Sequence, residues 1–346
     1  MNTPRPSRTR FRSVNAFIAV SFLSALLASR ALSVATIVEY GITTAASAPF
    51  GITSGPDGNL WFCESAGAGG VNRIGKITTA GLITEFPIPA ANAAPIGIVT
   101  GPDGALWFTE GGASRIGRIT TGGVITEFVL PLTNSQPWGI AVGSDGNLWF
   151  TEHGNSVNKI GRITTGGVIT EFPIPTALSR AAGMAAGSDG NLWFVEQNGN
   201  NIGRITTAGV ITEFPVPTVN SGTYGIAAGS DGNLWFTENL GSKIGRITTA
   251  GVITEFPLSP GSGPLNITPE NGNLWYAANG ANGIGKISIT GVGAQFPIPT
   301  AASLPIGIAI GPDGNVWFTE NATAANKVGT LSVASAPVEL VSFTAD

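Results

Sequence analysis

One cysteine and one histidine are all that 346 residues contain. A lone thiol, Cys63, can build neither an internal disulfide framework nor a zinc cluster, so the fold must hold by packing. Charged side chains are scarce as well, at 11%. Helix-forming material is short, because Gly (49 residues) and Pro (23) are the two poorest helix residues. That composition suits many short strands joined by tight turns. An apolar content of 42% excludes a disordered chain and supplies a real core.

Basic charge is unevenly placed. Arg5, Arg8, Arg10 and Arg12 head an apolar run, Ala16 to Ala28, that ends in small residues around Ser33-Val34-Ala35. This is the layout of a secretory signal peptide over residues 1–35, and the run is marginal for a membrane span. Removing the leader takes five of the 17 basic residues and none of the 21 acidic ones, leaving 12 against 21, a net charge of −9. An acidic, exported chain lacks the basic footprint that nucleic acid or an anionic bilayer requires. The expectation is a secreted or periplasmic monomer with no nucleic-acid or membrane partner after cleavage.

What is present in abundance is repetition. Trp61, Trp107, Trp149, Trp193, Trp235, Trp275 and Trp317 recur at intervals of 46, 42, 44, 42, 40 and 42 residues, each in the phrase [N/A]-[L/V]-W-[F/Y]. Each unit divides into four strand-sized pieces, exemplified by GIAVG, LWFTE, KIGRIT and VITEFPI. A period in the low forties with four strands per unit predicts an all-β, seven-bladed β-propeller over residues 36–335, followed by a tail at 336–346. Leu-Trp-Phe is apolar on both sides of its strand, as a blade packed between two neighbours demands. The prolines of F-P-I-P suit an outermost strand, since proline cannot donate to a ladder. The segment Thr36 to Ile42 matches that fourth strand, so the N-terminal strand is expected to complete the last blade. The tail segment Val338 to Val341 is its competitor. The Asp-Gly-Asn turns (Asp57, Asp103, Asp145, Asp189, Asp231, Asp313) read as hairpin turns rather than calcium loops. If each outer hairpin turns on its Gly pair or Ala-Gly pair, Arg118, Arg162, Arg204 and Arg246 face Glu127, Glu171, Glu213 and Glu255 across the strands.

The phrases GPDGALWFTE (Gly101 to Glu110), KIGRIT (Lys159 to Thr164) and GVITEFPIP (Gly167 to Pro175) resemble the streptogramin B lyases, the virginiamycin B lyase family. The resemblance extends over all seven units. It implies a seven-bladed propeller that opens a macrolactone by elimination with a magnesium ion. A cation polarises the carbonyl and a base removes the neighbouring proton. It further implies histidine bases at the x of P-x-G-I in two successive blades. One metal-binding Glu is implied two residues before such a histidine, and another at the Glu of W-F-T-E in the same unit.

Those positions hold other residues here. The x positions are Phe50, Ile96, Trp138, Ala182, Tyr224, Leu265 and Ile306; two residues earlier stand Ala48, Ala94, Gln136, Arg180, Gly222, Gly263 and Leu304. No histidine and no carboxylate is among them. Six W-F-T-E glutamates remain, Glu64, Glu110, Glu152, Glu196, Glu238 and Glu320, with Ala278 in the sixth unit. They are candidate ligands for Mg²⁺ or Ca²⁺ around the channel mouth, or structural acceptors for turn amides. His153 directly follows Glu152, which invites a reading as a base beside a metal ligand; it sits off the family's base position and reads as a surface or loop residue. Phe50, Trp138 and Tyr224, with Arg180 and Gln136 near them in sequence, are the candidate mouth residues. They would bind a small molecule, glycan or peptide, or plug the channel. The expectation is a non-catalytic binding or scaffold protein. The alternatives are a Mg-dependent C–O lyase acting on a cyclic ester, with Tyr224, Glu152 and His153 as its candidate groups, and a lactone-acting propeller enzyme using the glutamates.

Overall fold

The second strand of every repeat is buried on both faces: Leu106, Trp107 and Phe108, and their counterparts in the other repeats, are shielded from solvent. Only a sheet sandwiched between two others can do this, and the computed structural model shows how. It describes residues 34–65, 72–154 and 157–334. The expected tail and all but the last two residues of the expected leader lie outside them. Seven four-stranded antiparallel sheets are present, six of them pairing their strands in chain order and the seventh joining the two ends of the described chain. In the fourth blade the strands are Ala181–Ala186, Leu192–Glu196, Asn201–Ile205 and Ile211–Pro215, from the channel outward. Innermost strands of successive blades lie side by side around the axis. Apolar clusters span the gaps between blades: Trp149 and Ile160 of blade 3 pack with Met184, Leu192 and Phe194 of blade 4.

Closure follows the sequence expectation. Blade 7 takes three strands from the end of the chain, Pro305–Ile310, Val316–Glu320 and Lys327–Ala334, and its outermost strand, Val34–Gly41, from the beginning. Tyr40 stacks on Trp317 at 5.8 Å, the position that Phe86 takes on Trp61 and Phe172 on Trp149.

The turn aspartates serve the blade. Asp145 accepts a hydrogen bond from the Trp149 indole at 3.1 Å and from the Asn147 side chain at 2.8 Å. In blade 6, where the turn differs, Glu270 takes over and accepts from Trp275 at 2.6 Å.

The expected Arg–Glu pairs are corrected. Arg162 faces Thr170, and Glu171 faces Gly161. The hairpin does not turn on its Gly pair alone: Ile163 pairs with Ile169, enclosing a loop of odd length, and Val168 closes it on Thr164. One residue of register sends each side chain to the opposite face. Arg162 therefore lies over the Trp149 ring at 5.5 Å, while Glu255 pairs with Lys243 at 2.7 Å.

Blades are also clasped by threonine. Each innermost strand carries a bulge after its first residue that frees the glycine amide. In blade 3 Gly139 N donates to Thr151 Oγ1 at 2.9 Å, and that hydroxyl donates onward to the Ala182 carbonyl of blade 4 at 2.6 Å. Thr109, Thr237 and Thr319 repeat the arrangement. These bonds fix where each innermost strand begins, and so place the residues at the channel mouth.

Candidate functional site

Because each bulge sits at the start of the innermost strand, the x residues of P-x-G-I gather at one mouth. Phe50, Trp138 and Tyr224 come from alternate blades and meet across it. Phe50 approaches Trp138 edge to face at 5.6 Å, and Trp138 approaches Tyr224 edge to face at 6.2 Å. Edge-to-face contacts at these distances are attractive in their own right. Phe50 and Trp138 also line a cavity of about 170 Å³ in the channel, walled by Ile52, Ile98, Ile140 and Met184 with Asn266 as its one carboxamide. The trio thus closes the channel as an aromatic plug. Gln136 stays on the exposed loop; its backbone carbonyl accepts from the His153 amide at 3.1 Å.

His153 is not a surface residue, which corrects the sequence expectation. It is 2% exposed and stacks beneath Trp138 at 4.6 Å. Its Nδ1–H donates to the Ala181 carbonyl at 3.1 Å. Its Nε2 accepts from Arg180, at 3.1 Å from Nε and 2.7 Å from the terminal nitrogen. Burial, assisted by the Arg180 charge, lowers its pKa to about 4, so the ring is neutral and both nitrogens are occupied. The same task falls to asparagine elsewhere: Asn279 donates to Pro305 O and Asn321 to Pro49 O, each at 3.1 Å and each across to the next blade. His153 is the third-blade form of an inter-blade tie. His153→Asn is therefore expected to keep the unfolding free energy near wild type, whereas His153→Ala costs about 2 kcal/mol by leaving Arg180 and the Ala181 carbonyl without their partner. Denaturant melts of the two variants decide it; equal losses would contradict the assignment.

Arg180 adopts a left-handed backbone, φ 52°, as do Ala48, Ala94, Gln136 and Leu304 at the same point of their loops. That conformation is costly for a residue with a side chain. The loop geometry holds it there, and the guanidinium reaches back to His153.

The six glutamates do not converge. Each is fully shielded inside its own blade, at the end of the second strand. Each faces a second glutamate on the outermost strand: Glu85 for Glu64, Glu127 for Glu110, Glu171 for Glu152, Glu213 for Glu196, Glu255 for Glu238 and Glu39 for Glu320. Burial, reinforced by that neighbouring charge, raises Glu64, Glu110, Glu196 and Glu320 to about 8 and Glu152 and Glu238 to about 7. The turn amides bond to the outer partners instead. Thr176 N donates to Glu213 and Thr218 N to Glu255, each at 2.9 Å and each from the preceding blade. Most of the inner carboxyl oxygens have no donor among the described residues.

A magnesium ion of the kind the family resemblance implies does not fit this donor set. Among the described residues no three of His, Cys, Asp and Glu come together. Inner glutamates lie one to a blade and buried, and no carboxylate stands at the left-handed loop position beside them. Hard cations need several oxygen ligands on one centre.

Beside the aromatic plug the same face opens into a pocket of about 590 Å³ over blades 4 to 6. Gln197 and Asn198 follow the second strand of blade 4, Asn239 and Leu240 that of blade 5, and Asn220, Gly222 and Tyr224 lead into blade 5; Leu265 completes the lining. Sequence reasoning found Tyr224 and missed the rest. A signal was available: the residue directly after the second strand reads Ser65, Gly111, His153, Gln197, Asn239, Asn279 and Asn321, variable within an otherwise regular frame.

Comparison with known proteins agrees with this architecture. The profile of the virginiamycin B lyase family matches residues 29–221 and 200–341. Among solved structures, one described as a streptogramin B lyase is 38% identical, covers 87% of this chain and 98% of its own, and superposes with a TM-score of 0.81. Virginiamycin B lyase from Staphylococcus aureus is 40% identical over 87% of this chain and all of its own (100%), with a TM-score of 0.81. A catalytically inactive histidine-to-alanine variant of that enzyme, solved with quinupristin, is 39% identical over the same shares, 87% and 100%, again at 0.81. No curated protein sequence matches.

Proposed function

We propose, on the premise that this chain belongs to the virginiamycin B lyase family, that it is an exported binding propeller of that family without lyase activity. One observation carries the reading: both nitrogens of the sole imidazole are spent on internal hydrogen bonds, one to Ala181 and the other from Arg180. Removing a carbon-bound proton at neutral pH requires a base with a free lone pair facing substrate. Loss of one histidine leaves the Staphylococcus aureus enzyme catalytically inactive, and here every x position lacks one. The other candidates are no better placed. Burial pushes the Tyr224 phenol well above its ordinary range, and Glu152 is shielded from solvent inside its blade. What remains at the mouth is an aromatic plug and an adjoining polar pocket, the features of a ligand site. Export is supported by the leader-like layout of residues 1–35 and by the net acidity of residues 36–346.

The test is incubation of the purified protein with a streptogramin B and Mg²⁺, then mass spectrometry of the macrolactone. The expected result is ring opening no faster than in protein-free buffer. Turnover at enzymatic rates would overturn the reading.

A further inference from the structure

Four carboxamides face the pocket over blades 4 to 6, those of Gln197, Asn198, Asn220 and Asn239. None of them makes a hydrogen bond to a described residue, unlike Asn279 and Asn321 at the equivalent points of blades 6 and 7, whose amides are tied to the next blade. We propose that this pocket binds a neutral saccharide. The proposal rests on the reading of the chain as a binding propeller and names the ligand class of that site.

The chemistry selects by elimination. Among the described residues no Asp, Glu, Lys or Arg lines the pocket, and the Tyr224 phenol stays protonated. A charged ligand would give up its hydration without gaining an opposite charge, so phosphates, carboxylates and charged peptides are disfavoured. A purely apolar ligand would strip water from four carboxamides and return nothing to them. Each carboxamide offers both a donor and an acceptor at fixed separation. The matching partner is a group that also donates and accepts, packed densely on a small uncharged frame, which describes the hydroxyls of a sugar. Tyr224, Leu240 and Leu265 add the apolar surface that the C–H face of a pyranose covers. A volume near 590 Å³ lies in the range of ordinary ligand pockets and exceeds a single ring. An extended neutral peptide fits less well, because its donors and acceptors alternate along a strand, while these amides surround a compact hollow built by loops of three blades.

The experiment titrates the full protein with cellobiose, N,N′-diacetylchitobiose and lactose, using calorimetry and ligand-observed saturation-transfer NMR. Sialyllactose serves as a charged comparator and trialanine amide as a neutral peptide. At least one uncharged disaccharide is expected to bind with a dissociation constant below about 10 mM. Asn239→Ala and Gln197→Ala, both on surface loops, should each weaken it about fivefold. Leu82→Ala, on an outer turn, should leave it unchanged. Absence of saccharide binding, or binding that both pocket variants leave intact, overturns the proposal. Binding of the peptide amide, lost in the same variants, overturns the saccharide assignment and leaves the binding reading standing. Streptogramin turnover would instead overturn the binding reading itself.

Discussion

Taken from pH 5 to pH 8.5, the protein is expected to lose thermal stability steeply, the reverse of the usual tolerance of neutral-to-alkaline buffer. The cause is the six carboxyl pairs buried in the blades. Each inner glutamate holds its proton more tightly when folded, at about 7 to 8, than an unfolded glutamate does at 4.5. A group whose folded pKa is raised contributes stability that is complete below 4.5 and disappears as pH rises through the folded value. The groups facing each one set the size of the effect. Arg73, Arg115, Lys159, Lys243 and Lys327 lie near five of the pairs and soften the arriving charge, while Glu196 faces Glu213 with only Asn201 beside it. Allowing roughly 1 kcal/mol per pair after relaxation, about a third of what the shifts imply, the six pairs total about 6 kcal/mol, or a melting temperature lower by about 10 °C.

Two opposing groups bound the window from below. Burial works against them, yet hydrogen bonds from the indole and the turn asparagine hold Asp57, Asp145, Asp189 and Asp231 under their ordinary values, a contribution lost as pH falls below 3.8. His153, held neutral, contributes above 6.5 and loses that contribution toward 4, but it is one group against six. The optimum is thus expected near pH 5. Circular dichroism melts at pH 5, 7 and 8.5 measure it, and Glu196→Gln should raise the melting temperature at 8.5 while changing little at 5. An equal or higher melting temperature at pH 8.5 would remove the carboxyl-pair account.

These pairs show where sequence reading ends. The tryptophan spacing exposed seven blades, and the likeness of Thr36 to Ile42 to a fourth strand exposed the closure, because both depend on order along the chain. Convergence of Phe50, Trp138 and Tyr224 was also legible, since equivalent points of a ring share one mouth. Contacts that cross between blades were not. His153 looked like a loop residue because its partners, Ala181 and Arg180, belong to the next blade, and the tie it shares with Asn279 and Asn321 is carried by a different residue type there. The glutamate pairs were hidden by a one-residue register: with Ile163 opposite Ile169, Glu171 turns away from Arg162 toward the face that Glu152 shares. The pocket amides were hidden for a third reason. They occupy variable positions, and a consensus repeat draws the eye away from what varies.

The steepest single-residue loss is expected from Gly203→Ala. Gly203 lies directly opposite Phe194 on the neighbouring strand. A methyl group there would sit 2.1 Å from Phe194 Cζ, 2.3 Å from Cε2 and 2.6 Å from Cε1. The ring has no room to withdraw, since Phe194 is fully buried and wedged against residues of blade 3, among them Trp149 and Ile160. Overpacking of a closed core by one methyl costs about 3 kcal/mol here, at the upper end of the ordinary range. The same juxtaposition recurs as Gly75 with Phe62, Gly117 with Phe108, Gly161 with Phe150, Gly245 with Phe236, Gly285 with Tyr276 and Gly329 with Phe318. That is the physical reason for a glycine in all seven third strands, where strand propensity alone would disfavour one. A double-mutant cycle isolates the clash: Phe194→Leu alone opens a cavity and destabilises, but in the Gly203→Ala background it should recover part of the loss, with a coupling of at least about 1 kcal/mol. Strict additivity would mean that the methyl is accommodated elsewhere. Function should report the same event, because Gln197 and Asn198 follow the strand that carries Phe194. A displaced strand moves the pocket wall, so saccharide affinity is expected to fall in Gly203→Ala at temperatures well below its melting point.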